Sequence, residues 1–139
     1  MKEYIKSEII LREMVLDYKS KMDLDSLTRW LIMALGLGNP NSPALVFLLK
    51  KLLQYKFLER YLRFQDLQSS SLNTKTLYYY LHKLKQKGLV SKHPEGYTLG
   101  RSLKEPLKDF FHDYYKTRME KALENVEKAL DSFKSKTLL

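Results

Sequence analysis

The chain has 139 residues, no cysteine, and 25 Lys+Arg against 16 Asp+Glu, a formal net charge of +9. That length fits one domain with extra helices, and 44% hydrophobic against 29% charged residues is enough to bury a core, which excludes wholesale disorder. Without cysteine there is no disulfide, thiolate zinc finger or cysteine nucleophile, and the basic excess calls for an acidic partner, with nucleic acid and anionic membrane competing.

Ile5, Ile9, Met14 or Val15 and Tyr18 recur at roughly helical spacing and predict a first helix over residues 1–21. Asp23 and Asp25 are alternative N-caps for a second helix over 24–35, apolar most of the way round and stopped by Gly36, Gly38, Asn39 and Pro40. Trp30 on this helix reads as core. The run from Leu31 to Leu37 is the most apolar in the chain, yet a membrane span needs about 20 such residues. The first residues alternate acid and base instead of forming a signal peptide, so the expectation is a soluble cytoplasmic protein without a membrane partner.

Ser42 and Pro43 restart a helix as N-cap and first helical residue, with Val46, Leu49, Leu52 and Leu53 as its core stripe to about residue 55. Residues 57–64 are open between helix and extended chain. Residues 65–70 suggest a short helix with Leu67 inward, and Asn73 is a good N-cap for a helix over 74–87 ended by Gly88. Two β-prone runs around His93-Pro94-Glu95-Gly96 predict a hairpin over 89–99. A last helix is expected over 102–134, with Pro106 in its first turn.

Charge is unevenly spread along these elements. Residues 1–35 balance six bases against six acids, and residues 102–139 carry only one excess base. Residues 36–70 are net +3 and residues 71–101 net +5, so the middle of the chain holds almost all the excess. Turned at 100° per residue, the helix over 74–87 places Leu77, Leu81, Leu84 and Gly88 on one arc. Lys75, Tyr79, His82 and Gln86 fall opposite, flanked by Tyr78 and Lys83, with no acid in the helix. Cations, hydroxyls and an amide suit phosphate oxygens and base edges in a major groove. Short helix, turn, longer helix and hairpin is the order of a winged helix-turn-helix.

The stretch Thr76-Leu77-Tyr78-Tyr79-Tyr80-Leu81-His82-Lys83-Leu84-Lys85-Gln86-Lys87-Gly88-Leu89-Val90 resembles the recognition-helix signature of bacterial and archaeal winged-helix regulators. Its Thr-Leu-Tyr opening and Leu-x-x-Leu-x-x-x-Gly-Leu-Val close are similar to the PadR group, and MarR, ArsR and Lrs14-like proteins share the close. Tyr97-Thr98-Leu99 resembles a second wing strand. The resemblance covers about residues 64–101. It implies that Thr74, Lys75, Tyr78, Tyr79 and His82 lie towards the groove and Lys83 nearer the backbone. The wing is shorter than is usual in PadR proteins and lacks their Arg-rich strand, which leaves Lys92, His93 and Arg101 as its phosphate contacts.

In the last helix Leu107, Phe111, Tyr115, Met119, Ala122, Val126, Ala129 and Phe133 follow one another at spacings of three and four, close to a coiled-coil seam. Either the N-terminal helices fold back over that seam or a second copy covers it; the homodimer is the expectation, as MarR and PadR regulators pair through helices outside the DNA-binding unit. The fold expected is mainly α with a small β-hairpin: a winged helix-turn-helix at 39–101, N-terminal core or dimerisation helices at 1–38, and a dimerisation helix at 102–139.

Other chemistry finds little support. Asp109, His112 and Asp113 share a helical face but read as a solvated stripe, so no metal site is expected. No nucleophile, base or paired-carboxylate spacing and no phosphate-binding glycine pattern suggests an enzyme or a cofactor. The function expected is a sequence-specific double-stranded DNA-binding transcriptional regulator. The alternatives are a winged-helix scaffold for an acidic protein, or a nucleic-acid-packaging protein without sequence preference.

Overall fold

Short polar signals set the helix limits. In the computed structural model, which describes residues 4–16, 22–68 and 71–137, α1 spans Leu24–Ala34 and α2 spans Pro43–Phe57. A 3-10 turn (Phe64–Leu67), α3 (Thr74–Gln86), β1 (Val90–His93), β2 (Gly96–Leu99) and α4 (Leu107–Thr137) follow. The chain is thus mainly helical with one antiparallel two-stranded hairpin.

Asp23 Oδ1 accepts the Ser26 N–H at 2.7 Å and starts α1, and that backbone bond holds the Asp23 carboxyl below its ordinary value. Gly36, at φ +60°, closes the helix while the Leu37 N–H returns to the Ile32 carbonyl at 2.9 Å. Ser42 caps α2 and Pro43 opens it, as the sequence implies. Leu45, Leu48, Leu52 and Leu53 on α2 are at most 1% exposed. Each fully buried leucine contributes on the order of 1.5–3 kcal/mol relative to exposure, and α2 packs on α1, α3 and β2, so the core is built around it.

Of the segment 57–64, only Phe57 at the end of α2 and Phe64 at the start of the 3-10 turn are helical. Between them Glu59 takes φ +54°, and Leu62 then exchanges two backbone hydrogen bonds of 2.8 Å with Tyr97. This bridge lays a third, one-residue rung along β2, itself paired to β1 from Val90↔Leu99 to His93↔Gly96.

Three expectations need correction. Residues 5–16 form neither helix nor strand, and the rest of the helix expected over 1–21 lies outside the described residues apart from Tyr4. The segment instead lends its backbone to α1: the Arg12 N–H donates to the Ala34 carbonyl at 2.8 Å, and the half-buried Trp30 indole donates to the Val15 carbonyl at 3.1 Å. A Cβ on Gly36 would stand 2.3 Å from Ile10 Cγ2, so the missing side chain is what seats Ile10. Ile5, Ile9 and Ile10 are β-branched, which weakens a helix that has little else to hold it.

The short helix expected over 65–70 is a 3-10 turn ending at Leu67, with Leu67 inward; of the link to Asn73, residues 69–70 lie outside the described residues. The last helix begins at Leu107 instead of residue 102. Pro106 disfavours helical backbone at Glu105, and the turn before it is held by Glu105 N–H to Ser102 Oγ at 3.3 Å and by the buried Lys56 ammonium on the Ser102 carbonyl.

The chain divides into two units, Ile10–Leu107 and Met1–Ile9 with Lys108–Leu139. In the second, burial changes along α4: Phe110 is buried, Phe111, Tyr114, Tyr115 and Arg118 are half-buried, and residues 119–134 are all exposed. Among the described residues no helix is long and apolar enough to cross a membrane.

Candidate nucleic-acid interface

Asn73 Oδ1 accepts the Lys75 N–H at 2.8 Å and begins α3, while Gly88 at φ +83° ends the turn beyond it. Leu77, Leu81 and Leu84 are buried and fix which way the helix faces. Gly88 is exposed, not inward as the helical arc suggests, because its backbone has already left the helix. The α3 residues expected towards a groove or its backbone, Thr74, Lys75, Tyr78, Tyr79, His82 and Lys83, are all exposed, as is Gln86 on the same arc.

Ring contacts organise this face. Tyr78 stacks on Phe64 with centroids 3.7 Å apart and planes at 17°, so one ring face is covered while the residue remains 50% exposed. Tyr79 is 55% exposed, carries the Lys83 ammonium 5.1 Å from its ring centroid and meets Tyr80 edge-on. Tyr80 is half-buried, its hydroxyl 3.4 Å from Ser42 Oγ, and belongs to the packing of α2 on α3.

The hairpin packs beside α3 through β1. Lys92 is exposed, with its ammonium 5.7 Å from the Tyr97 ring centroid. His93 is half-buried, its Nε2 3.0 Å from Ser91 Oγ and its ring tilted against Tyr61 at 5.2 Å, so this imidazole is already engaged within the hairpin. Arg101 is exposed but donates through Nε to Glu105 at 3.2 Å and through a second nitrogen to the same carboxylate; these bonds hold Glu105 below its usual value. A surface pair of this kind is worth about 0–1 kcal/mol, so a phosphate can exchange for it.

The structure therefore brings the six α3 residues onto one exposed face, with Lys92 on the strand that packs against the helix; His93 and Arg101 belong to the hairpin and its exit but have partners of their own. No acid occurs in the sequence between Asp66 and Glu95, so neither α3 nor β1 brings a carboxylate to this face. Phe64 was not legible as part of it. An aromatic opening a short helical turn is the only hint, since the stack with Tyr78 is a tertiary contact. On α4, Leu107, Phe111 and Tyr115 are half-buried in their own chain, whereas Met119, Val126 and Phe133 are exposed. Asp113 Oδ1 lies 3.9 Å from His112 Nδ1, and among the described residues no group of three or more His, Cys, Asp or Glu is placed to hold a metal ion.

Comparison with family models, with curated proteins and with solved structures finds no match to this chain.

Proposed function

We propose that this protein is a sequence-specific double-stranded DNA-binding transcriptional regulator of winged helix-turn-helix type that acts as a homodimer. In this reading the 3-10 turn at 64–67 is the first helix of the motif, α3 is the recognition helix in the major groove, and the β1–β2 hairpin is the wing. The observation that carries it is the outward face of α3: acid-free, with Lys75, Tyr78, Tyr79, His82 and Lys83 exposed and Leu77, Leu81 and Leu84 anchoring the other side. Cationic groups supply the sequence-independent attraction to phosphates, while hydroxyl and imidazole groups supply the base-edge contacts. Two such units related by a two-fold axis read an inverted repeat, and the exposed apolar residues of α4 supply a surface for pairing.

Selection of bound duplexes from a random pool tests the reading. The expected result is an enriched inverted repeat that is lost when Lys75, Tyr79 and His82 are all changed to Ala. Equal retention of scrambled sequences would point to packaging. No retention of any duplex at low salt, together with capture of an acidic protein, would point to a scaffold.

A further inference from the structure

From Met119 to Phe133, α4 carries Met119, Leu123, Val126, Leu130 and Phe133 at spacings of four, three, four and three, each more than half exposed. Such a stripe is a heptad seam with Leu123 and Leu130 at the a positions and Met119, Val126 and Phe133 at the d positions. Ala122 and Ala129 then occupy the g edge, and Glu120, Glu127 and Lys134 the e edge. We infer that this half of α4 pairs with α4 of a second copy in antiparallel orientation, centred near Lys128. The inference rests on the homodimer reading above and gives it a geometry.

Three features choose a second copy and this orientation. In a parallel pair each g residue faces an e residue of the other helix; here that sets alanine against Glu127 or Lys134, with no charge partner. In an antiparallel pair g faces g and e faces e. Centred near Lys128, Glu120 of one copy lies beside Lys134 of the other, twice by symmetry, so the e edge is complementary to itself. The two alanine edges meet at Ala129, where small side chains let the helices approach closely. The core pattern also disfavours the parallel dimer, which takes β-branched residues at a and leucine at d; this seam has leucine at a and Val126 at one d. One like-charge contact remains, Glu127 with its own copy close to the axis.

Absence of native cysteine makes the geometry directly readable by cross-linking in the full-length chain. At about 1.5 Å per residue, the two copies of Ala129 stand about 3 Å apart along the antiparallel axis, whereas the two copies of Leu123 stand about 15 Å apart. A parallel pair places the Leu123 copies side by side and the Ala129 copies on opposite edges. Sedimentation of the unmodified protein at micromolar concentration is expected to give a dimer. Under mild oxidation Ala129→Cys is expected to form a disulfide-linked dimer and Leu123→Cys to remain largely uncross-linked. Glu127→Gln is expected to tighten dimerisation about twofold, the size of one like-charge contact between helix side chains. The reverse cross-linking pattern, or a dimer in which neither variant cross-links, overturns the antiparallel seam and leaves the homodimer standing. A monomer in sedimentation overturns both.

Discussion

Tyr78 and Tyr79 are adjacent on α3 and equally accessible, yet they meet solvent in different ways. Phe64 holds the Tyr78 ring from one side, so that ring has little rotamer freedom left to lose, whereas Tyr79 shares its face with the Lys83 ammonium. Their neighbour Lys75 is exposed in the first turn of α3, and its flexible stem and point charge suit a phosphate oxygen. Lys75→Ala should therefore lower the slope of log affinity against log salt by about 0.9, one phosphate's worth of released counterions, while the preferred sequence stays the same. A changed sequence preference in that variant, with an unaltered slope, would contradict the assignment. The outward set could be read from sequence because a helix's two faces follow from its period alone. Phe64 could not, since nothing local links it to Tyr78.

Among elements, those with capping residues at their ends stood out in the sequence. Asp23, Ser42 and Asn73 each bond the first turn of the helix they precede, and such bonds are local enough to be read residue by residue. The segment 5–16 misled because isoleucines at helical spacing look alike whether their backbone bonds to itself or to the end of α1. The hairpin was legible, but its attachment was not, since the Leu62–Tyr97 bridge joins chain segments 35 residues apart. That attachment makes a sharp test. Gly96 takes φ +140°, and a Cβ there would stand 2.7 Å from the Leu62 carbonyl oxygen. Gly96→Ala should cost about 1–3 kcal/mol, the usual range for forced backbone strain, and lower the thermal midpoint measured by circular dichroism. An unshifted midpoint would mean that the rung at Leu62 does not hold the hairpin.

On the scale of the whole molecule, stability has an alkaline limit set partly in α4. Burial pushes the Tyr115 phenol up to about 12 from 10.0; the neighbouring Tyr114 adds to the rise and Arg118 opposes it. The folded chain keeps this phenol neutral where the unfolded chain would ionise it. Its stabilisation is complete below pH 10.0 and is lost as pH rises towards about 12. Thermal midpoints should fall across that interval, and Tyr115→Phe should remove part of the fall; superimposable profiles would show that the phenol is not held neutral. The division into units has a consequence in time as well. Ile10–Leu107 is one uninterrupted stretch, and α4 follows it in the chain. During synthesis, which proceeds at about 5–20 residues per second and lets domains fold as units, the stretch that contains α3 and the hairpin can finish folding before the apolar stripe of α4 has left the ribosome. In the homodimer proposed above, folding of the unit that carries α3 and association of the copies would thereby fall into successive events, with the apolar stripe of α4 emerging after the core is complete.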